Sequence, residues 1–160
     1  MAVRHRLVER PPGDVWAALS DPSRYGEWVV GPSESAERSG RWPECGASLE
    51  YTIRLGPWAV AGETIVRHHE PPRHLELEVD SGWLGTARIA IEVRPWGEDT
   101  LVIFDEHPLR GPGGFLHNPA VDTVLHLRNR RMLGRLADVV ESETRADGSS
   151  GEPGGQQRTG

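Results

Sequence analysis

Apolar and polar residues alternate along several short segments between residues 35 and 107. Leu75, Leu77 and Val79, for example, are separated from one another by single glutamates. Because successive side chains of an extended chain point to opposite faces, this alternation predicts strands with one buried and one solvated face. The segments are separated by turn residues at Gly56-Pro57, Pro71-Pro72, Ser81-Gly82 and 97–99. Such short connections predict an antiparallel meander covered on a single side.

The last predicted strand is followed by a loop and a long C-terminal helix. The strand, from Thr100 to His107, is apolar at both parities, so periodicity alone does not identify its inward face. A loop rich in glycine and proline follows, and then a long amphipathic helix from about Pro119 to Glu143. At about seven turns this helix must lie across most of the sheet. Its apolar stripe contains Val121, Leu125, Met132, Leu136 and Val139-Val140.

The N-terminal residues predict one strand and two short helices. The strand, Val3 to Glu9, is followed by two prolines that cannot continue a ladder. A helix begins near Asp14 and is broken by Asp21-Pro22, and a second short helix is expected from Ser23 to Trp28. The fold class is therefore α+β, an antiparallel sheet around a long C-terminal helix.

Composition limits the function. The 160 residues carry a net charge of −6, and all 18 basic residues are arginines. With no basic stripe, a nucleic-acid partner is not expected, and the absence of lysine excludes Schiff-base and P-loop chemistry. No apolar run is long enough to span a bilayer and no signal peptide is evident, so a cytoplasmic protein is expected. We expect one domain over residues 1–144 and a disordered tail over 145–160.

Three stretches resemble the START-like or SRPBCC superfamily, also called the polyketide cyclase/dehydrase-like or birch-pollen-allergen-like fold. They are Pro11 to Trp28 with its Asp-Pro break, Glu70-Pro71-Pro72-Arg73-His74-Leu75, and Glu106-His107-Pro108 with Arg128 to Leu136, the last being similar to bacterial polyketide-cyclase-like members. The resemblance covers about residues 1–143. It implies a helix-grip fold with a hydrophobic cavity between sheet and helix that binds lipids, polyketides or other apolar molecules, and only some members carry out a reaction.

Polar residues on otherwise apolar faces are the candidates for contact with a ligand in such a cavity. Asn129 lies on the buried side of the last helix, where an unpaired amide would cost about 1–3 kcal/mol. Either a ligand or a structural hydrogen bond to the sheet would satisfy it. Glu106 shares parity with Val102 and Phe104, which the resemblance favours as inward. It is the candidate catalytic acid or base, and the alternative is a solvated glutamate at the rim of the sheet.

Further ligand-binding candidates surround these two. Tyr51 lies on an inward face and could donate to a ligand oxygen, or it could be a core tyrosine with its hydroxyl at the rim. His126 is either at the edge of the pocket or a solvated helix residue. The cavity walls are expected to include Phe104, Leu125 and Met132, with Trp28 and Trp83 at the mouth as loop or strand-end aromatics.

No metal site or cofactor is expected. His68 and His69 lie on opposite faces of one strand and cannot chelate one ion, and Cys45 has no partner ligands at suitable spacing.

The leading hypothesis is non-covalent binding of an apolar or aromatic small molecule, lipid- or polyketide-like. The alternative is a polyketide cyclase, aromatase or dehydratase that uses Glu106 as general acid or base. A partner-binding module would instead have a filled interior and an exposed apolar groove. The sequence identifies no ligand and leaves the oligomeric state open, a homodimer included.

Overall fold

The computed structural model describes residues 2–29, 32–82, 85–110 and 119–148, and this part of the chain contains seven strands and three α-helices. The N-terminal elements are β1 (Ala2–Val8), α1 (Pro12–Ser20), a 3₁₀ turn (Pro22–Arg24) and α2 (Tyr25–Trp28). The remaining strands are β2 (Pro32–Ser39), β3 (Ser48–Leu55), β4 (Trp58–Glu70), β5 (His74–Asp80), β6 (Thr86–Trp96) and β7 (Asp99–Arg110). The last element is α3 (Pro119–Gly148).

The strands form one antiparallel sheet in the order β1-β7-β6-β5-β4-β3-β2. From β2 to β7 each strand pairs with the next along the chain, and β1 adds to the free edge of β7. The curved sheet and the long C-terminal helix make up a helix-grip α+β fold. The predicted meander and fold class are confirmed.

One face of the sheet is buried. Leu75, Leu77 and Val79 are buried on β5, while the intervening residues are only partly covered. On β7 the buried residues are Val102, Phe104 and Glu106, which identifies the inward face that periodicity left open. Alternation therefore positions the side chains that face α3.

The ends of the short helices follow from local chemistry. Pro12 stands at the first position of α1, where a missing N–H costs nothing, and Asp14 in the first turn forms an ion pair with Arg10 at 2.5 Å. After α1, the side chain of Asp21 accepts a hydrogen bond from the backbone N–H of Ser23 at 2.9 Å, which starts the 3₁₀ turn. These contacts fix the direction in which α2 enters the core.

The helix α3 extends to Gly148, five residues beyond the expected end at Glu143. Polar residues are compatible with a helix, so the composition that suggested a tail did not end it. The helix thus continues into residues 145–148, the predicted tail stays a prediction, and residues 149–160 lie outside the described part of the chain. The predicted stripe is confirmed at Met132 and Leu136, which are fully buried.

Candidate ligand-binding site

The inner face of the sheet and the facing side of α3 form an apolar wall. Buried residues of this wall are Leu49, Leu75, Leu77, Ile89, Ile91, Val93, Val102 and Phe104 on the strands, and Met132, Leu133, Leu136, Ala137 and Val140 on α3. Such a wall suits an apolar ligand or a packed core equally well. The polar groups set into it are therefore the features that separate the two.

Glu106 is the acidic residue on this wall. Its side chain is only 1 % exposed, and it lies across from Ala2 of β1 and Ile89 of β6 in the sheet register. The predicted inward orientation is correct, and the alternative of a solvated glutamate at the rim is wrong. A carboxyl group in this position could exchange a proton with a bound ketone or hydroxyl, and that role stays a prediction.

Asn129 is the polar residue on the facing helix. It is 0 % exposed, as the sequence predicts, and it lies three and seven residues before Met132 and Leu136 on the same buried stripe. Neither Nδ2 nor Oδ1 has a hydrogen-bond partner among the described residues. The structural bond to the sheet, the alternative to ligand contact, is therefore not seen in the described part of the chain.

Two features place β1 beside α3. The backbone N–H of Glu9 donates to Oε1 of Glu141 at 3.1 Å, and a guanidinium nitrogen of Arg6 lies 3.9 Å from the point that a Cβ atom on Gly134 would occupy. The C-terminal half of α3 therefore packs along the first strand.

Trp28 is the aromatic residue that α2 brings against this wall. It is the last residue of α2, it is 1 % exposed, and its ring meets that of Phe104 edge to face with centroids 6.1 Å apart. The expected position, a loop aromatic at the mouth, is wrong because α2 packs against α3 and carries Trp28 into the core. Its Nε1 is buried and has no hydrogen-bond partner among the described residues.

Tyr51 is inward and buried, as expected. Its hydroxyl donates to the backbone carbonyl of Asp80 at 3.0 Å and lies 2.7 Å from the hydroxyl of Ser81. The ring lies over Gly62, where a Cβ atom would overlap it. The contacts of the hydroxyl favour the structural alternative, and contact of Tyr51 with a ligand stays a prediction.

Sequence reasoning missed the aromatic cluster that surrounds α2. Tyr25 contacts Trp28 and Trp42 edge to face, with centroids 5.5 and 5.8 Å apart. Trp42 lies in the loop before β3, where no periodicity marks it as buried. The Asp-Pro break before Tyr25 was the available signal, because it turns α2 toward the sheet.

Several predicted site residues are not placed at the level of side chains. Leu125 and His126 lie on α3, but their side chains are outside the described part of the structure, and Trp83 is outside it altogether. These assignments and the cavity itself remain predictions.

Described residues form two open recesses. One, of about 580 Å³, is lined mainly by β2, β3 and β4; it includes the ion-paired Arg38 and Glu63 and also the inward Tyr51 and Gly62. The other, of about 700 Å³, lies by the turn between β4 and β5. In it the Arg94 guanidinium lowers the pKa of the Glu92 carboxyl through a hydrogen bond. Mixed, internally paired charges of this kind are typical of a solvated surface.

His68 and His69 lie on opposite faces of β4, as predicted. His69 pairs with the buried Leu75 in the register and stacks on Trp16 with centroids 5.7 Å apart, whereas His68 pairs with Glu76. Within the described ranges no three histidine, cysteine or acidic side chains are grouped so as to hold a metal ion. None of the helices in those ranges is long and apolar enough to cross a bilayer.

The sheet and the gripping helix are the features of a Bet v1-like, or SRPBCC, fold. The family described as polyketide cyclase / dehydrase and lipid transport matches residues 2–141, so the chain belongs to this family. No curated protein matches the chain in sequence.

Solved structures share the fold at low sequence identity. Ara h 8.0201 superposes with a TM-score of 0.71 at 8 % identity, covering 88 % of this chain and 96 % of that one. DynU16, a putative protein in the dynemicin biosynthetic locus, gives 0.66 at 22 % identity over 89 % of this chain and 47 % of its own. CalU16 from Micromonospora echinospora gives 0.60 at 16 % identity over 92 % and 80 %. These likenesses establish the fold.

Proposed function

We propose that the protein binds an apolar or aromatic small molecule, lipid- or polyketide-like, between the inner face of the sheet and α3. The observation that carries the proposal is the fully buried amide of Asn129, which lies on an apolar wall without a hydrogen-bond partner in the described part of the chain. Leaving such a group unpaired costs about 1–3 kcal/mol, and a ligand would supply the missing bonds. The family description, which includes lipid transport, supports the same function.

Native mass spectrometry of the purified protein tests the proposal directly. A co-purifying small molecule with a defined mass is expected, and it should be lost when the protein is unfolded and refolded. The refolded protein should then gain thermal stability with lipid- or polyketide-like compounds, because a ligand that binds only the folded state raises its stability. Protein that carries no small molecule and gains no stability from any such compound would contradict the proposal.

The burial of Glu106 favours a second candidate, a cyclase, aromatase or dehydratase. A carboxyl group on the inner wall could remove or donate a proton while the wall holds a poly-β-ketone in a reactive conformation. Turnover of a poly-β-ketone surrogate should then fall at least about 100-fold in Glu106→Gln, the usual contribution of a general acid or base. Turnover that survives this substitution unchanged would remove Glu106 from the mechanism. A cytoplasmic location and the oligomeric state stay predictions.

A further inference from the structure

The two edge strands of the sheet are built differently. β2 begins with Pro32, and its pairing with β3 shifts register twice, between Pro32 and Glu34 and between Glu37 and Ser39. Proline and bulges of this kind keep a sheet edge from pairing with another chain. β1 has neither, because Ala2–Val8 pair with β7 in one unbroken register. Its other edge is therefore a straight row of backbone donors and acceptors, without a partner strand in the described sheet.

The side chains of β1 are open to solvent on both faces. Every residue from Val3 to Leu7 is exposed, and the two apolar ones, Val3 and Leu7, are exposed by 46 % and 42 %. Within the described ranges, the elements that pack closely against β1 are β7 and α3. The outer edge of β1 is therefore accessible to a further strand.

Two exposed arginines mark the inner face of this edge. Arg4 and Arg6 occupy inward positions, and their register partners on β7 are the buried Phe104 and Val102. Neither arginine forms an ion pair with a residue that the structure describes. Six other arginines do form ion pairs, namely Arg10, Arg24, Arg38, Arg67, Arg73 and Arg94. In a chain with a net charge of −6, β1 thus presents two unpaired cations at alternate positions.

These charges decide which strand the edge accepts. An antiparallel pair of β1 strands centred on His5 would place Arg4 of one copy opposite Arg6 of the other, on both sides of the centre. Like charges directly opposite each other destabilise a strand pair, whereas opposite charges stabilise it. A second copy is therefore disfavoured in this register, and a strand with acidic side chains at the two positions is favoured.

We infer that the free edge of β1 is a docking site for an extended acidic segment of another protein, which adds to the sheet as an antiparallel eighth strand. Two acidic residues of the segment, at alternate positions, face Arg4 and Arg6. The residues between and beside them are apolar and lie on the outer face with Val3, His5 and Leu7. Backbone hydrogen bonds to β1 provide affinity, and the alternating side chains provide selectivity. The inference is independent of ligand binding by the inner wall.

Three heptapeptides test the selectivity on the full chain. The first is acetyl-Thr-Val-Glu-Val-Glu-Val-Thr-amide, and the other two carry glutamine or lysine in place of both glutamates. Two favourable cross-strand charge pairs should make the glutamate peptide bind about 2- to 30-fold more tightly than the glutamine peptide. The lysine peptide should bind more weakly still. Titrations followed by ¹H–¹⁵N spectra measure weak affinities of this kind and identify the amides of β1 that shift.

A charge-reversed double variant assigns the preference to β1. Arg4→Glu combined with Arg6→Glu should invert the order, so that the lysine peptide binds most tightly. Arg41→Glu combined with Arg88→Glu changes the net charge equally at exposed residues outside β1, and it should keep the preference for the glutamate peptide. Thermal unfolding checks that both double variants fold. Arg4→Gln combined with Arg6→Gln is a milder second variant, in which the glutamate and glutamine peptides should bind equally.

Methylated peptides test the backbone pairing. The N–H groups of a strand point alternately to its two edges, so only one set of them reaches β1. The glutamate peptide is therefore methylated at the backbone nitrogens either of its valines or of its glutamates. One form should lose about 10-fold or more in affinity and the other should retain binding. Amide hydrogen exchange at alternate residues of β1 should slow in the complex.

The contrary outcomes are distinct. Equal affinities for the three peptides, or retained binding of both methylated forms, would overturn the inference, and failure of every peptide to bind would leave the arginines as a guard against aggregation. Binding to phosphatidylglycerol vesicles but to none of the peptides would assign the edge to a membrane surface. A dimer in analytical ultracentrifugation with protected β1 amides would assign it to a second copy. Each of these results overturns the acidic strand and leaves the proposed small-molecule site untouched.

Discussion

Asn129→Leu should make the ligand-free protein more stable. The substitution keeps the branching of the side chain and replaces an amide that has no partner among the described residues. An unsatisfied buried amide costs about 1–3 kcal/mol, so the free energy of unfolding should rise by about that amount. For a chain of this size each kcal/mol corresponds to about 2–4 °C in melting temperature.

Urea and thermal unfolding of the refolded, ligand-free protein measure this change. Leucine is also the better helix former by about 0.5 kcal/mol, and this part must be subtracted. The exposed neighbour Arg130 supplies the correction, because the difference between Arg130→Asn and Arg130→Leu reports helix propensity without burial. Asn129→Ala is a second variant that removes the amide without adding volume.

A contrary result would be informative. If Asn129→Leu and Asn129→Ala both lower the free energy of unfolding by more than about 1 kcal/mol, the amide is hydrogen-bonded within the folded protein. Asn129 would then be a structural residue, and the main support for a ligand site would be lost. A more stable variant that binds the co-purifying small molecule less tightly is the outcome that a binding residue requires.

Three further substitutions test the packing and charges that position the wall. Gly62→Ala should destabilise the protein by about 1–3 kcal/mol, because its Cβ would overlap the buried ring of Tyr51; thermal unfolding measures the loss. Tyr25→Phe should cost about 1–3 kcal/mol by leaving Oγ1 of Thr64 unpaired, and adding Thr64→Val should recover most of that loss in urea unfolding. Glu92→Gln should lower the melting temperature at pH 6, and the deficit should shrink as the pH falls below 4.5, the ordinary pKa of this group.

The sign of the pH effect follows from the pKa. A hydrogen bond from Arg94 lowers the pKa of Glu92 in the folded state, so its stabilising contribution is present above pH 4.5 and is lost as the pH falls through the folded pKa. A deficit that grows on acidification would contradict the ion pair.

The other two substitutions have their own controls. Gly62→Ala and Tyr51→Ala should be non-additive when combined, because Tyr51→Ala removes the ring that the new Cβ would overlap. A double variant of Tyr25 and Thr64 that loses as much as the single one would refute the pairing.

Most of the fold is predictable because the strands obey one period. Leu75, Leu77 and Val79 predict a half-buried strand. The apolar stripe of α3 likewise predicts which side of that helix is buried. Strand β4 does not show the alternation of apolar and polar residues, because two of its inward residues, Gly62 and Thr64, are not apolar. Its register then shifts between Val66 and His68, so no alternation runs through the whole strand.

The candidate site is only partly predictable. The parity of Glu106 and the stripe position of Asn129 are local properties, and both were confirmed as buried. The position of Trp28 depends on how α2 packs against α3, and the hydroxyl of Tyr51 depends on the distant turn at Ser81. Long-range packing of this kind leaves no periodic signal in the sequence.

The position of β1 in the sheet has a consequence for how the chain folds. Val8 pairs with Thr100 and Ala2 with Glu106, so the first strand finds its only partner in the described sheet about a hundred residues later. During synthesis β1 cannot pair until nearly the whole domain has been made. The entropy lost in closing so long a loop must then be offset by the free energy gained from pairing. Proteins dominated by such distant contacts fold in about milliseconds to seconds rather than microseconds. Until β1 docks, the edge of β7 is open to pairing with other chains, so this stage of folding is exposed to aggregation.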